Sequence, residues 1–185
     1  MPPMIRPLAF LLLAAVVAGG SNYSFLEGRL QFSAPKGWRE VRRTSSDSVD
    51  FVAFVVPRPQ GGTNAPAGNV MIDASLSGRQ WDLRRYSDLK VSQVAAGPGS
   101  PVIVDDKVWE GEQTRTVLWT SRLRETPYAL WDKLAVRDSI YLDIRTAIPV
   151  AYANDSAWEM DYENDLQQLL KSFRIRGAPI FANTK

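Results

Sequence analysis

The run Ser87-Asp88-Leu89-Lys90 is the one match in this chain to an enzymatic signature, the S-x-x-K in which a lysine activates a serine at the start of a buried helix. Neither a K-T-G nor an S-D-N companion accompanies it, and 185 residues are too few for the fold those enzymes use. The run therefore reads as the solvated surface of a helix. His and Cys are both absent. Thiolate and imidazole metal sites, cysteine nucleophiles, disulfides and every Ser-His-Asp arrangement are excluded with them. Carboxylates are what remain for metal or acid–base work. Asp105 and Asp106 near Glu110 and Glu112 form one group, and Asp161, Glu163 and Asp165 another, yet neither has the D-x-D-x-D-G loop that wraps oxygens around calcium. Asp161 and Asp165, four residues apart, read as a wet helical face. No spacing marks a glycosidase pair among the 20 acids. No catalytic residue, metal or cofactor is expected.

Residues suited to binding are more evident. Lys36, Arg39, Arg42 and Arg43 make the densest positive cluster, interrupted by Glu40. Beside anionic headgroups or an acidic partner each such residue contributes about 1 kcal/mol; the plainer reading is a solvated strand and loop. Of the six Trp, Trp38 and Trp158 are assigned to the core. Trp131 lies opposite in phase to Leu130 and Leu134 and shares its face with Lys133 and Arg137, so it is either covered by a helix or exposed for docking. Trp109 and Trp81 sit at element boundaries. Arg outnumbers Lys 16 to six, and aromatics with Arg are enriched at interface centres. The candidate interaction residues are thus Trp131, Trp109, Trp81, Lys36, Arg39, Arg42 and Arg43.

Period-2 runs supply the strands that would position them. Val70, Ile72, Ala74 and Leu76 alternate with Met71, Asp73 and Ser75, and Ile140, Leu142 and Ile144 with Tyr141, Asp143 and Arg145, each predicting one buried and one partly wet face. Tyr128, Leu130, Leu134 and Val136 share a face, Arg137-Asp138-Ser139 forms a tight turn, and Val117, Trp119 and Leu123 mark another strand. Val49 to Val56 is apolar on both faces after Asp50, as expected of a central, covered strand. Helical spacing places Leu83, Tyr86, Leu89 or Lys90, and Val94 on one side of 82–95. It aligns Trp158, Tyr162, Leu166, Leu169, Leu170 and Phe173 along 156–173, with Asp155 as cap and Lys171 at the negative end. Pro57 to Gly68 and Gly97 to Pro101 read as extended loops. The order strands, helix, strands, helix with short connections predicts an α+β fold, an antiparallel meander with helices laid on it.

Size and charge bound the rest. One domain is expected from 185 residues, and an aromatic share of 10% argues against disorder. Against a pI near 9.0, 22 positive and 20 negative groups give a net charge of only +2. No polycationic field for nucleic acid results.

The first 20 residues combine Arg6, an apolar run from Leu8 to Ala18 and small residues through Gly20. Eleven helical residues rise about 16 Å, well short of the ~30 Å hydrocarbon core. An export signal with cleavage after Gly20 is expected, a retained N-terminal anchor being the alternative. Membrane contact would then run only through residues 1–20. Ser21 stands where a lipoprotein would carry Cys. The expected layout is a signal or anchor over 1–20, a single domain over 21–176, and a flexible tail over 177–185.

Two motifs add a family. Leu30-Gln31-Phe32-Ser33-Ala34-Pro35-Lys36-Gly37-Trp38 matches a short strand followed by Pro and Gly-Trp, and the chain closes on an Ile140–Ala147 strand and a helix ending Leu169-Leu170-Lys171-Ser172-Phe173. With them residues 27–175 resemble the Mog1/PsbP-like superfamily, including its DcrB-type bacterial relatives. The resemblance implies an α/β/α sandwich around an antiparallel sheet, and a non-catalytic protein with no shared catalytic motif to carry over. The His ligands that some relatives use are absent here. From export and resemblance together, the expectation is an extracytoplasmic, bacterial periplasmic domain that binds another protein, as an accessory subunit of an envelope or membrane complex. A small-ligand or lipid-binding module, or a secretion-toxin immunity protein, is the alternative.

Overall fold

A computed structural model describes residues 20–56, 68–78, 81–95, 109–110, 114–123, 126–149 and 156–181. Residues 1–19 of the expected signal, most of the loop from Pro57, the loop at 97–101, the cap Asp155, and Asp105, Asp106 and Glu112 lie outside the described residues.

Eleven strands and two helices are described. Strands β3 (Arg39–Ser45), β4 (Val49–Val56), β5 (Gly68–Leu76), β6 (Trp109–Glu110), β7 (Thr114–Leu123), β8 (Thr126–Arg137) and β9 (Ile140–Pro149) build a seven-stranded sheet in the order β3-β4-β5-β9-β8-β7-β6. All its pairings are antiparallel. Two meanders, β3-β4-β5 and β7-β8-β9, therefore meet where β5 pairs with β9. The helices fall at Leu83–Ala95 (α1) and Ser156–Ser172 (α2), as the apolar spacing predicts. Asp82 caps α1, its Oδ1 accepting the Arg85 N–H at 2.8 Å. The turn at Asp138-Ser139 holds both residues at positive φ, 51° and 64°, the conformation a two-residue hairpin needs.

A second sheet accompanies the first, in the order β1 (Asn22–Phe25), β2 (Leu30–Ser33), β10 (Arg174–Ile175), β11 (Ala178–Pro179). It and α2 cover one face of the large sheet. Val52, Phe54, Val70, Ile72, Leu142 and Ile144 meet Phe25, Phe32, Leu169 and Phe173 there. A smaller core forms on the opposite face, where Tyr86 of α1 packs with Val117, Trp119, Leu130, Leu134 and Tyr141. Helix, sheet, then helix with small sheet make the α/β/α sandwich. Three hydrogen bonds tie these parts together: the Leu26 N–H donates to buried Asp50 of the large sheet, the Ser33 N–H of the small sheet donates to Ser172 Oγ of α2 at 2.9 Å, and Trp38 Nε1 donates to Asp165 of α2 at 2.9 Å.

Four local readings change. Strand β4 is buried on one face only, because Phe51, Ala53 and Val55 stay half-exposed on the side away from the small sheet. Strand β9, expected to be wet on one side, is buried on both, since α1 lies over Tyr141 and Asp143. In the S-x-x-K run, expected on a solvated surface, Ser87 is buried and Lys90 turns toward the sheet. Where a flexible tail was expected from residue 177, Ile180 and Phe181 are buried, Phe181 meeting Phe173 edge-on at 5.7 Å; residues 182–185 lie outside the described residues.

Candidate functional site

Gly37, at φ 89°, turns the chain out of β2 toward β3, with the Trp38 N–H closing the turn onto Pro35 at 3.4 Å. Strand β3 then runs along the outer margin of the large sheet with β4 as its only partner among the described residues. All seven of its residues are exposed. A bulge at Val41 inserts one extra residue, so Arg39 stands opposite Val55 and Arg42 opposite Ala53, on one face. Glu40 and Arg43, opposite Phe54 and Val52, fall on the other.

Arg42, Arg43 and Glu40 each meet an aromatic side chain. The Arg42 guanidinium lies 5.8 Å from the Phe51 ring centroid, and that of Arg43 lies 5.5 Å from Tyr23 and 5.8 Å from Phe25. Stacking of this kind fixes the plane of a guanidinium and leaves its N–H fork free for a carboxylate. Glu40 is occupied, accepting the Tyr23 hydroxyl proton at 2.9 Å. Burial first, and Glu40 second, push that hydroxyl's pKa up to about 12. Among the described residues no carboxylate lies in ion-pair contact with Lys36, Arg39, Arg42 or Arg43. Val41, 47% exposed, stands in the middle of this margin.

The aromatic candidates lie elsewhere. Trp131 is half-buried beneath α2, edge-on to Tyr162 at 6.1 Å, which selects the helix-covered alternative. Lys133 on the same face lies over Phe181 at 5.7 Å, its pKa lowered by burial. Trp81 precedes α1, donating its backbone N–H to the Tyr141 hydroxyl at 2.7 Å, with Arg85 over its ring at 5.4 Å. Trp109 opens β6 at the opposite margin of the sheet from β3, and its side chain, like that of Trp158, lies outside the described residues. The structure thus gathers Arg39, Arg42 and Arg43 along one margin, with Lys36 in the turn that precedes it, and brings none of the three tryptophans to it.

Beneath α1 lies a group of charges, of which the alternating pattern placed Asp73, Asp143 and Arg145 on a partly wet face. Asp132, 1% exposed, receives two hydrogen bonds from Arg145, at 2.7 and 2.8 Å, and a third from Trp119 Nε1 at 3.3 Å. Lys90 reaches down from α1 to Asp143 Oδ2 at 3.0 Å, while the other oxygen of this buried carboxylate has no hydrogen-bond partner among the described residues. Burial, then the Asp143 charge, raise the Asp132 pKa even against Arg145, and burial raises that of Asp73 alongside. Ser87 Oγ donates to the Arg84 carbonyl at 2.8 Å and accepts from Arg115 at 2.6 Å. The Ser and Lys of the S-x-x-K run are therefore committed to different partners, and the cluster's chemistry is that of a lock between α1 and the sheet. No group of three or more metal-ligating residues occurs among the described residues, and no described helix is long and apolar enough to cross a membrane.

No family model matches the chain, and no curated protein matches it by sequence. Solved structures do. Cyanobacterial PsbP (CyanoP) from Synechocystis superposes with a TM-score of 0.58 at 13% identity, covering 88% of this chain and 95% of that one. The Ran-binding protein Mog1p of Saccharomyces cerevisiae gives 0.53 at 10% identity over 85% and 95%. LpqN of Mycobacterium tuberculosis, described as involved in cell envelope biogenesis, gives 0.50 at 11% identity over 83% of each chain. Likeness at this identity is a likeness of fold, and it agrees with the layered architecture above. The chain has the Mog1/PsbP-like fold.

Proposed function

We propose that this chain is an exported, non-catalytic domain that binds another protein, serving as an accessory subunit of an envelope or membrane complex, and that it docks through the β3 margin. One observation carries the reading: Arg39, Arg42 and Arg43 line an exposed sheet margin, with exposed Lys36 in the turn before it, and none has a carboxylate partner among the described residues. Unpaired guanidiniums preset by aromatic stacking lose little conformational freedom on meeting an acidic surface. The fold supports the reading by analogy, since Mog1p binds Ran and LpqN belongs to envelope biogenesis. Export rests on the apolar segment ending at Gly20. Trp109 and half-exposed Trp81 are retained as secondary contacts, whereas Trp131, packed against Tyr162 of α2, is not.

The test is affinity capture of the C-terminally tagged protein from its native envelope in mild detergent, compared with Arg39→Glu/Arg42→Glu. A defined partner recovered with the native protein and lost with the variant supports docking at β3. Recovery unchanged by the variant moves the interface elsewhere, and a lone monomer from both removes the accessory-subunit reading.

A further inference from the structure

Resting on that reading, we propose that β3 takes an extended acidic segment of the partner as an added strand, making the partner the eighth member of the large sheet. The backbone supplies the first argument. Ser46 donates its N–H to the Val49 carbonyl at 2.8 Å, which makes Ser46 and Val49 the hydrogen-bonded pair that closes the β3–β4 hairpin. Hydrogen-bonded and open pairs alternate along an antiparallel ladder. By the register, Thr44–Phe51 and Arg42–Ala53 are then bonded pairs, whereas Ser45–Asp50 and Arg43–Val52 are open. Arg43 and Ser45 accordingly turn their N–H and C=O groups away from β4, toward a margin where the described residues place no further strand.

Charge supplies the second argument. A seven-residue exposed edge invites pairing, and proteins commonly blunt such edges with charges or a bulge. Here the charges apart from Glu40, which the Tyr23 hydroxyl occupies, are all positive. A second copy of β3 would set Arg against Arg, which is unfavourable, while an acidic strand gains cross-strand ion pairs at the same positions. The edge is closed to itself and open to its electrostatic complement. The bulge at Val41 confines regular pairing to the Arg42–Ser45 half. Because Arg42 and Arg43 lie on opposite faces, the complementary strand carries acids at two adjacent positions, one for each face.

The probe is a synthetic octapeptide in which a central Asp-Glu pair is flanked by Val and Thr, with a Lys-Arg version as control. Amide exchange is followed by NMR on the domain. The acidic peptide is expected to bind at least tenfold more tightly than the basic one, and to slow exchange at Arg43 and Ser45 at least tenfold. Ser45→Pro, which removes one outward N–H and no charge, should weaken the acidic peptide about fivefold. If that variant fails to fold, the exchange readout on the native protein still decides. Binding without protection at Arg43 and Ser45 overturns strand addition but leaves docking by side chains intact. Equal binding of both peptides, or no binding while affinity capture still recovers a β3-dependent partner, overturns it as well. Failure of capture and peptide together removes both readings.

Discussion

Arg145 and Asp132 meet through paired hydrogen bonds beneath α1, Nε to Oδ1 at 2.7 Å and Nη2 to Oδ2 at 2.8 Å. Their strands are neighbours, and the two residues stand directly opposite one another in the β8–β9 register. Trp119 closes the pair from β7, donating to the carboxylate while the Arg145 guanidinium lies 4.8 Å from its ring centroid.

Breaking this pair from one side is expected to be costly. Asp132→Ala leaves the guanidinium with Asp143, at 3.9 Å, as its remaining ion-pair partner among the described residues, in a largely desolvated site. A loss of about 3–5 kcal/mol follows, and urea unfolding would measure it. Replacing both partners, as Asp132→Leu/Arg145→Met, should cost less than the single change, because no charge is stranded. A double variant no more stable than Asp132→Ala would contradict this account.

The same carboxylate sets a pH dependence whose sign is fixed. Its pKa in the folded protein is raised, by burial and by Asp143, above the ordinary value near 4 that it has in the unfolded chain. The folded state then binds the proton more tightly, so the group destabilises at neutral pH, and that penalty is relieved as pH falls through the raised pKa toward about 4. The unfolding free energy of the native protein minus that of Asp132→Asn should therefore increase between pH 7.5 and 5. Asp73 shifts in the same direction and is common to both proteins.

Lys90 is expected to govern how firmly α1 is seated. Among the described residues its ammonium is the nearest cation to Asp143, 3.0 Å away, and the second oxygen of that carboxylate is already without a hydrogen-bond partner. Lys90→Met should raise amide exchange throughout α1 and lower stability by about 3 kcal/mol. Adding Asp143→Asn should return part of that loss. Exchange in α1 equal to that of the native protein would mean the helix is held by its apolar contacts alone.

Trp131 and the β3 arginines should separate stability from association. Trp131→Ala removes a ring packed against Tyr162 and is expected to cost about 3 kcal/mol, visible as a lower Tm. Arg39→Glu/Arg42→Glu alters exposed residues and should leave Tm within a few degrees. A large Tm drop in the arginine variant would show that these side chains serve the fold.

Elements whose own residues carry a period were legible in the sequence. The alternation of β5, the α2 stripe from Tyr162 to Phe173 and the Asp138-Ser139 turn are local properties, and the structure returns each nearly residue for residue. Burial set by distant elements was not. Tyr141, Asp143 and Arg145 alternate with Ile and Leu like any half-wet strand, and only the landing of α1 on that face dries them. The same landing, confined to one side of the sheet, leaves Phe51 and Val55 of β4 half-exposed although their run reads as doubly buried. The small sheet was hidden for a related reason, since β10 and β11 are two residues long and have meaning only beside β2. The basic residues were visible as a cluster, but that they form an edge strand with two outward-facing backbone units depends on sheet order.

That small sheet also sets the timetable of folding. Strand β2 waits for β10, and Ser33 waits for a hydroxyl 139 residues further along the chain. Contacts of such separation form late, because loop closure must precede any gain from them. A chain leaving a ribosome amino end first presents β1 and β2 early, with their aromatic face uncovered until Phe173 follows. Completion of this core is thus reserved for a chain whose residues through Phe173 have emerged, and the shorter, growing forms stay loose until then.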